Sequence, residues 1–396
     1  MDKNKYFHIF LICCLLLMTT MIIPPLYAYL NNPKDRYLMR QWGWLKIYAD
    51  VAYANGYRGN NTTIVAVIDT GIDLDHPDLQ DNIYTNPLEI SDGTDTDGNG
   101  YIDDIHGWNF VGDINDTSDH DGHGSHCAGI IAAIDNTIGI CGVAPDVQIL
   151  PIKVIETESG DMNVLAEAIN YSRMMGADII SMSFGTDDDD FIGKQQINNA
   201  IKIAYESGIV LVAAAGNDGK NDVSYPAANP NVIAVAATTK SDERAFYSNY
   251  GVEIEIAAPG GDASGAIIST YNESNYIQLA GTSMATPHVS GVVALLIQWN
   301  NTLTPEEIRA IINTNAIDLG SIGWDQEFGY GLINIAACLG LPANHTYSSV
   351  VDWFYRNFWW IFIVGVSIIC LTIISIMRRK SKSGNTYYPN TTSDYY

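Results

Sequence analysis

Short, unbroken apolar runs recur along the chain at Ile64–Ile68, Ile149–Ile155, Ile179–Ser183, Ile209–Ala215 and Val232–Ala237. Their hydrophobicity is continuous rather than alternating, the pattern of strands covered on both faces. Between them lie segments with apolar positions at helical spacing: Val164–Met175, closed by Gly176, and Gln195–Glu206, closed by Ser207 and Gly208. Two further apolar helical stretches follow polar motifs. One runs over Cys127–Ile134 behind His123, the other from Ser283 to Leu296, with Pro287 expected in the first turn, where amide hydrogens have no intrahelical partner. Strands alternating with helices predict an α/β fold, a mostly parallel central sheet with helices on both faces. Sites in such folds gather at the carboxyl ends of strands. Asp69 stands one residue past the first run and Asn217 just beyond the fourth.

The two ends of the chain carry apolar runs of another kind. Lys3 and Lys5 precede an apolar stretch from Ile9 to Ile23, then come Pro24, Pro25 and a cleavage-like Leu26-Tyr27-Ala28, which reads as a secretory signal over residues 1–28. An uncleaved signal anchor is the alternative, and both place the main domain outside. Phe358–Met377 is about 20 residues long, enough to span a bilayer as a helix. Trp359 and Trp360 mark its outer end, and Arg378, Arg379, Lys380 and Lys382 follow its inner end. A single-pass anchor is therefore expected, preceded by a linker at 341–357 and followed by a cytoplasmic tail at 378–396.

Composition narrows the partners. With 20 Lys and Arg against 45 Asp and Glu, the formal charge of −25 excludes nucleic acid as an expected partner and implies an acidic surface. The 47% hydrophobic content is ample for one large core. Cys13 and Cys14 lie in the signal and Cys370 in the membrane run. Only Cys127, Cys141 and Cys338 remain for the domain, so no dense disulfide framework is expected.

Three motifs bring chemistry: Asp69 in VIDTGID, His123 in DGHGSHCAG and Ser283 in GTSMATPHVSGVVALL. A serine hydroxyl becomes a useful nucleophile when an imidazole takes its proton, and that imidazole needs a carboxylate to hold its tautomer. From about Lys34 to Leu339 the chain resembles the subtilases, the subtilisin-like serine endopeptidases, in which Asp, His and Ser follow in this order. The resemblance implies a peptidase domain at 29–340 acting on extended polypeptide. It also implies that Asn217 in VAAAGNDG joins the Ser283 backbone N–H as oxyanion donor. His126 is the other candidate base, but the HGxH pattern assigns catalysis to His123. Cys127 resembles the thiol-containing subtilases related to proteinase K, and is otherwise a small buried hydrophobe.

By the same resemblance, Ser183, Phe184 and Gly185 pair with the substrate backbone as an added strand, with Gly160 in the opposite strand region. Asp218 and Ser224 fall at the rim and base of the primary specificity pocket. The acidic run Asp187–Asp190 is a solvated loop or a preference for basic substrates. Calcium is expected at Asp78 and Asn136 with the carbonyls of Ile134, Ile138 and Ile140. A second loop spaces Asp95, Asp97, Asn99, Tyr101 and Asp103 like an EF-hand, though His106 stands where the bidentate acid belongs. Residues 29–69 read as the start of the domain, which leaves no place for the family's usual pro-domain. Two alternatives stand: a catalytically silent binding module on this fold, and a sedolisin-type peptidase, which needs a Glu where His123 stands.

Overall fold

The computed structural model describes residue 37 and residues 40–156, 164–186 and 193–343. The signal segment, Gly160, the run Asp187–Asp190 and the apolar stretch 358–377 lie outside these. Among the described residues no helix is long and apolar enough to cross a membrane.

Seven strands form one parallel sheet: β1 (Ile64–Asp69), β2 (Trp108–Asn109), β3 (Gln148–Lys153), β4 (Ile179–Met182), β5 (Val210–Ala214), β6 (Val232–Thr238) and β7 (Ile254–Pro259), in spatial order β2-β3-β1-β4-β5-β6-β7. The β1 strand shows why continuous apolar runs were needed. Val65 and Val67 belong to one hydrophobic core, Ala66 and Ile68 to the other, so both faces of the strand are dry. Burying each large aliphatic side chain contributes about 2 kcal/mol, which makes such a strand poor at anything but a covered position.

Helices cover both faces. The short α1 (Trp42–Lys46) and α2 (Ala49–Ala54), then α3 (His123–Ala132), enter the first core; α4 (Leu165–Met174) and α5 (Lys194–Glu206) cover the second. The long α6 (Thr282–Trp299) runs buried through the first core beneath β4, β5, β6 and β7, joined by α7 (Pro305–Asn315) and α8 (Ile335–Cys338). A separate antiparallel hairpin, β8 (Ile267–Tyr271) and β9 (Asn275–Leu279), packs on α3. Its turn places Glu273 and Ser274 at positive φ, without the glycine that signals such a turn in sequence. The chain leaves β1 toward β3 on one side and β4 on the other, so its carboxyl end is the switch point of the sheet. Asp69 is the last residue of β1.

One local expectation is corrected. Pro287 is the sixth residue of α6, beyond the first turn. Having no N–H, it leaves the Ser283 carbonyl without its regular helical donor. The Cys127 thiol supplies one instead, with Sγ 3.5 Å from that oxygen.

Candidate active site

The carboxyl end of β1 packs on α3 and α3 on α6, with the Cys127 Sγ 4.0 Å from His123 Nδ1 and 3.5 Å from the Ser283 carbonyl oxygen. Asp69 is buried, and its Oδ1 lies 2.7 Å from His123 Nδ1 while also accepting the Thr70 N–H at 2.8 Å. His123 is the first residue of α3, entered through Gly122 at φ +103°. Gly124 permits the approach of α3 to β1, because a Cβ there would overlap the Gly71 carbonyl oxygen. Burial disfavours the imidazolium, but the Asp69 carboxylate outweighs it and holds His123 well above the ordinary imidazole range.

His126 faces the core. Its Nε2 lies 3.1 Å from the Ile267 carbonyl, and burial pushes its pKa down to about 3, so it is neutral at any working pH. Cys127 is fully buried, with Sγ 4.0 Å from His123 Nδ1, and burial raises its thiol above the usual range. It is a protonated donor rather than a nucleophile.

Ser283 is the second residue of α6, in the positive field of the helix start. Its hydroxyl donates to the Ser183 carbonyl at 2.7 Å. Asn217 follows β5, and its Oδ1 accepts from both the N–H and the hydroxyl of Thr282, each at 2.9 Å. A Cβ built on Gly281 would lie 3.6 Å from Ser283 N and 3.7 Å from both amide atoms of Asn217, so the Ser283 N–H and the Asn217 side chain border one small volume.

Next to Ser283 is a cavity of about 320 Å³, lined in part by Phe184, Gly185, Gly216, Asn217 and Ser224. Ser224 is buried in it, with Asn249 Nδ2 3.4 Å from its hydroxyl, while the Asp218 side chain is exposed and 3.9 Å from Lys220 Nζ. Thr186 and Tyr225 exchange backbone hydrogen bonds of 2.8 and 2.9 Å, tying the segment after β4 to the cavity floor. Ser183, Phe184 and Gly185 thus border both the nucleophile and the cavity.

The two acidic loops differ from their sequence reading. Asp78 is fully buried and its carboxylate is filled by donors: Asn136 Nδ2 at 2.6 Å, the Ile140 N–H at 3.0 Å and the Tyr276 hydroxyl at 2.8 Å. Asn136 Oδ1 accepts the Ile138 N–H, and the Ile134 N–H donates to the Asp78 carbonyl. In the second loop Asp95 and Asp97 are joined by Glu89, their carboxylate oxygens all within 4.8 Å of one another. After that pair, Asp103 accepts the N–H groups of Asp92 and Gly93, Asn99 directs its amide at Asp97 and Asp104, and the Tyr101 ring packs on Trp108, Phe110 and Tyr171. Asp104 is fully buried and accepts from Asn86, Asn99 and the Tyr171 hydroxyl at 2.7 Å, which ties this part of the loop to α4.

Sequence reading missed Glu89, Asp104, Thr282 and Asp119.

Residues 60–331 match the subtilase family. Subtilisin DY of Bacillus licheniformis is 38% identical over 296 residues, covering 74% of this chain and 95% of that protein. Thermitase of Thermoactinomyces vulgaris is 37% identical over 299 residues, 74% of this chain and 94% of its own. Minor extracellular protease Epr of Bacillus subtilis (strain 168) is 39% identical over 299 residues, but the match covers 41% of that longer protein.

Proposed function

The chain belongs to the subtilase family of serine peptidases, and from that premise we propose that it is a membrane-tethered endopeptidase acting outside the cytoplasm, cleaving extended polypeptide through an acyl-enzyme on Ser283. The observation that carries the chemistry is the 2.7 Å contact of Asp69 Oδ1 with His123 Nδ1, with the Ser283 backbone nitrogen and the Asn217 amide bordering one volume. Asp69 keeps the imidazole proton on Nδ1 and steadies the imidazolium once it forms, which leaves Nε2 as the acceptor. Before attack the Ser283 hydroxyl swings from the Ser183 carbonyl to Nε2, a rotation about one side-chain bond; contacts of this kind tighten when substrate is bound.

As Ser283 Oγ bonds to the scissile carbon, its proton passes to Nε2 and the carbonyl oxygen becomes an oxyanion between the Ser283 N–H and Asn217 Nδ2. Collapse of this intermediate breaks the C–N bond, and the leaving amine takes the proton from Nε2. Water then repeats the sequence on the ester. Substrate lies along Ser183–Gly185 as an added strand, with one side chain in the cavity that Ser224 floors and Asp218 rims.

Structural calcium is part of the proposal. Glu89, Asp95 and Asp97 present three converging carboxylates whose mutual repulsion a hard cation relieves, and this donor set fits Ca²⁺. At either loop a cation would displace neutral donors, Asn86 and Asn99 at Asp97 and Asn136 and Tyr276 at Asp78, with the Asn136 amide reversed to offer its oxygen.

An acylating serine inhibitor tests the chemistry. It is expected to label Ser283 in the wild type and nothing in Ser283→Ala; activity retained in that variant would sink the reading. Export and tethering rest on residues 1–28 and 358–377. They predict that the full chain sediments with membranes and is released by detergent rather than by salt, and release by salt would remove the anchor.

A further inference from the structure

The peptidase reading leaves one question about its own machinery: what keeps Asp69 and His123, which sit on different elements 54 residues apart, in one geometry. The side-chain contact itself cannot, since it depends on where each backbone lies. Asp119 is 6% exposed and lies four residues before His123, outside the contacts that reacting atoms make. Its Oδ1 accepts the Gly122 N–H at 2.7 Å, the Asp121 N–H at 3.0 Å and the Thr70 hydroxyl at 2.9 Å. Its Oδ2 accepts the Ser125 N–H at 2.9 Å and the Ser125 hydroxyl at 2.7 Å. One carboxylate therefore binds five donors, four of them on the turn and first residues of α3 and one on the residue after Asp69.

The two hydroxyls extend this carboxylate across the gap in both directions. Thr70 Oγ1, while donating to Asp119, accepts the Gly124 N–H at 2.9 Å. Ser125 Oγ, while donating to Asp119, accepts the Asp73 N–H at 2.9 Å. The segment 70–73 that leaves β1 and the first turn of α3 are thus laced together by reciprocal bonds, with Asp119 as the common acceptor. Gly122, at the N-cap position, has no side chain to cap α3, so the orphan donors of that helix start are answered from outside it. A charged acceptor suits this position, because bonds to an ionised carboxylate are about twice as strong as neutral ones and its charge favours the positive end of α3.

We infer that Asp119 is a positioning residue for catalysis, a clamp that fixes the start of α3 to the end of β1 so that His123 and Asp69 meet in a productive geometry. The inference rests on the Asp69-His123-Ser283 reading above. Misplacement of a reacting group by about 1 Å costs about a hundredfold in rate, so the clamp acts on kcat while the substrate strand and cavity, built on other elements, set KM.

The test uses the full chain in detergent, with Asp119→Ala, Asp119→Asn and Thr70→Val measured beside Ser283→Ala. Asp119→Ala is expected to lower kcat about tenfold to a hundredfold with KM within twofold, and to slow acylation by a serine-directed inhibitor in proportion. Asp119→Asn keeps an acceptor oxygen for the Gly122 and Thr70 donors but turns an NH₂ toward Ser125, so it is expected to recover part of the loss. Thr70→Val cuts the tie on the β1 side and removes the acceptor of the Gly124 N–H, but leaves the Asp119 bonds to Asp121, Gly122 and Ser125 in place. It keeps the idea exposed if Asp119→Ala does not fold, and is expected to lower kcat severalfold with KM within twofold and with a smaller fall in melting temperature than Asp119→Ala. Wild-type kcat in folded Asp119→Ala, or in Thr70→Val, would overturn the inference and leave Asp119 a helix cap only. Activity in Ser283→Ala would instead overturn the underlying reading, so the two failures are told apart.

Discussion

Asp69 and Asp104 are both carboxylates sealed from solvent, at 1% and 0% exposure, yet they are furnished in opposite ways. Asp104 is surrounded by neutral donors, Asn86, Asn99 and Tyr171, and both its oxygens are used. Asp69 spends one oxygen on His123 and Thr70, and its Oδ2 has no hydrogen-bond partner among the described residues. A buried polar atom without a partner costs about 1–3 kcal/mol, so it persists where something other than stability selects it. Asp104 holds an insertion in place. Asp69 faces a titratable ring and keeps its charge for that ring.

The largest expected effect follows from exchanging one against the other. Asp69→Asn should lower kcat by about 10⁴ with little change in melting temperature, because the imidazole loses both its tautomer and its counter-charge. Asp104→Ala should do the reverse, costing about 2–4 kcal/mol of stability as three donors lose their acceptor, with kcat within about threefold. Steady-state kinetics and thermal unfolding of the two variants decide it, and matching losses of activity and stability in both would dissolve the distinction. The pH profile sharpens it further. His123 is held above the ordinary imidazole range, and a base must be neutral to act, so activity should rise with pH through that raised value. An acidic limb at or below the ordinary value near 6.5 would contradict the pairing. Burial raises Asp104, so the stability it favours is present at acid pH and is lost as pH rises through its folded value.

The same contrast explains what was legible in the sequence. Asp69, His123, Asn217 and Ser283 each lie within a local motif whose glycines and helix starts define their surroundings, so reading along the chain found them. β1, β3, β4, β5 and β6 were found because burial on both faces leaves unbroken apolar runs; β7, whose run Glu255 interrupts, β8, β2, with only Trp108 and Asn109, and the half-exposed β9 were not. Asp104 and Glu89 depend on partners far away, Tyr171 on α4 for one and a turn in the acidic loop for the other. Spacing alone therefore named Asn99 and Asp103 and passed over Asp104, which accepts from Asn99 and Tyr171. The capping box of α7, with Thr304 and Glu307 bonding reciprocally and Pro305 at its start, was written in the sequence and went unread.

A smaller effect separates the two acidic loops. A ligand that binds only the folded state stabilises it by about 4 kcal/mol at a thousandfold excess over its Kd. In the Ser283→Ala background, which does not digest itself, chelation should lower the melting temperature. Glu89→Gln or Asp97→Ala should remove most of that shift, because three carboxylates within 4.8 Å of one another repel even with backbone and Asn donors on them, and a cation relieves that repulsion. Asp78→Ala should lower stability with and without chelator alike, since its carboxylate already answers three donors. A chelator effect lost only in Asp78→Ala would reverse that order, and identical melting curves with calcium and chelator would remove the cation from both loops.

The smallest expected effect lies at Cys127, between the two catalytic helices. Pro287 deprives the Ser283 carbonyl of its helical donor, and the Cys127 thiol takes that place from α3 at 3.5 Å. Cys127→Val keeps the bulk and removes the donor, so the loss should be that of one weak hydrogen bond to a buried carbonyl, about 1 kcal/mol in stability and severalfold at most in kcat. The thiol is buried and protonated, hence a poor nucleophile, but a mercurial that reaches it would push on His123 Nδ1 only 4.0 Å away. Wild-type enzyme should therefore lose activity to mercurials while Cys127→Val resists them. Equal sensitivity in the variant would move the reaction to Cys141 or Cys338, both also buried and in no disulfide, and would leave Cys127 as a packing residue whose hydrogen bond to Ser283 has no bearing on the chemistry.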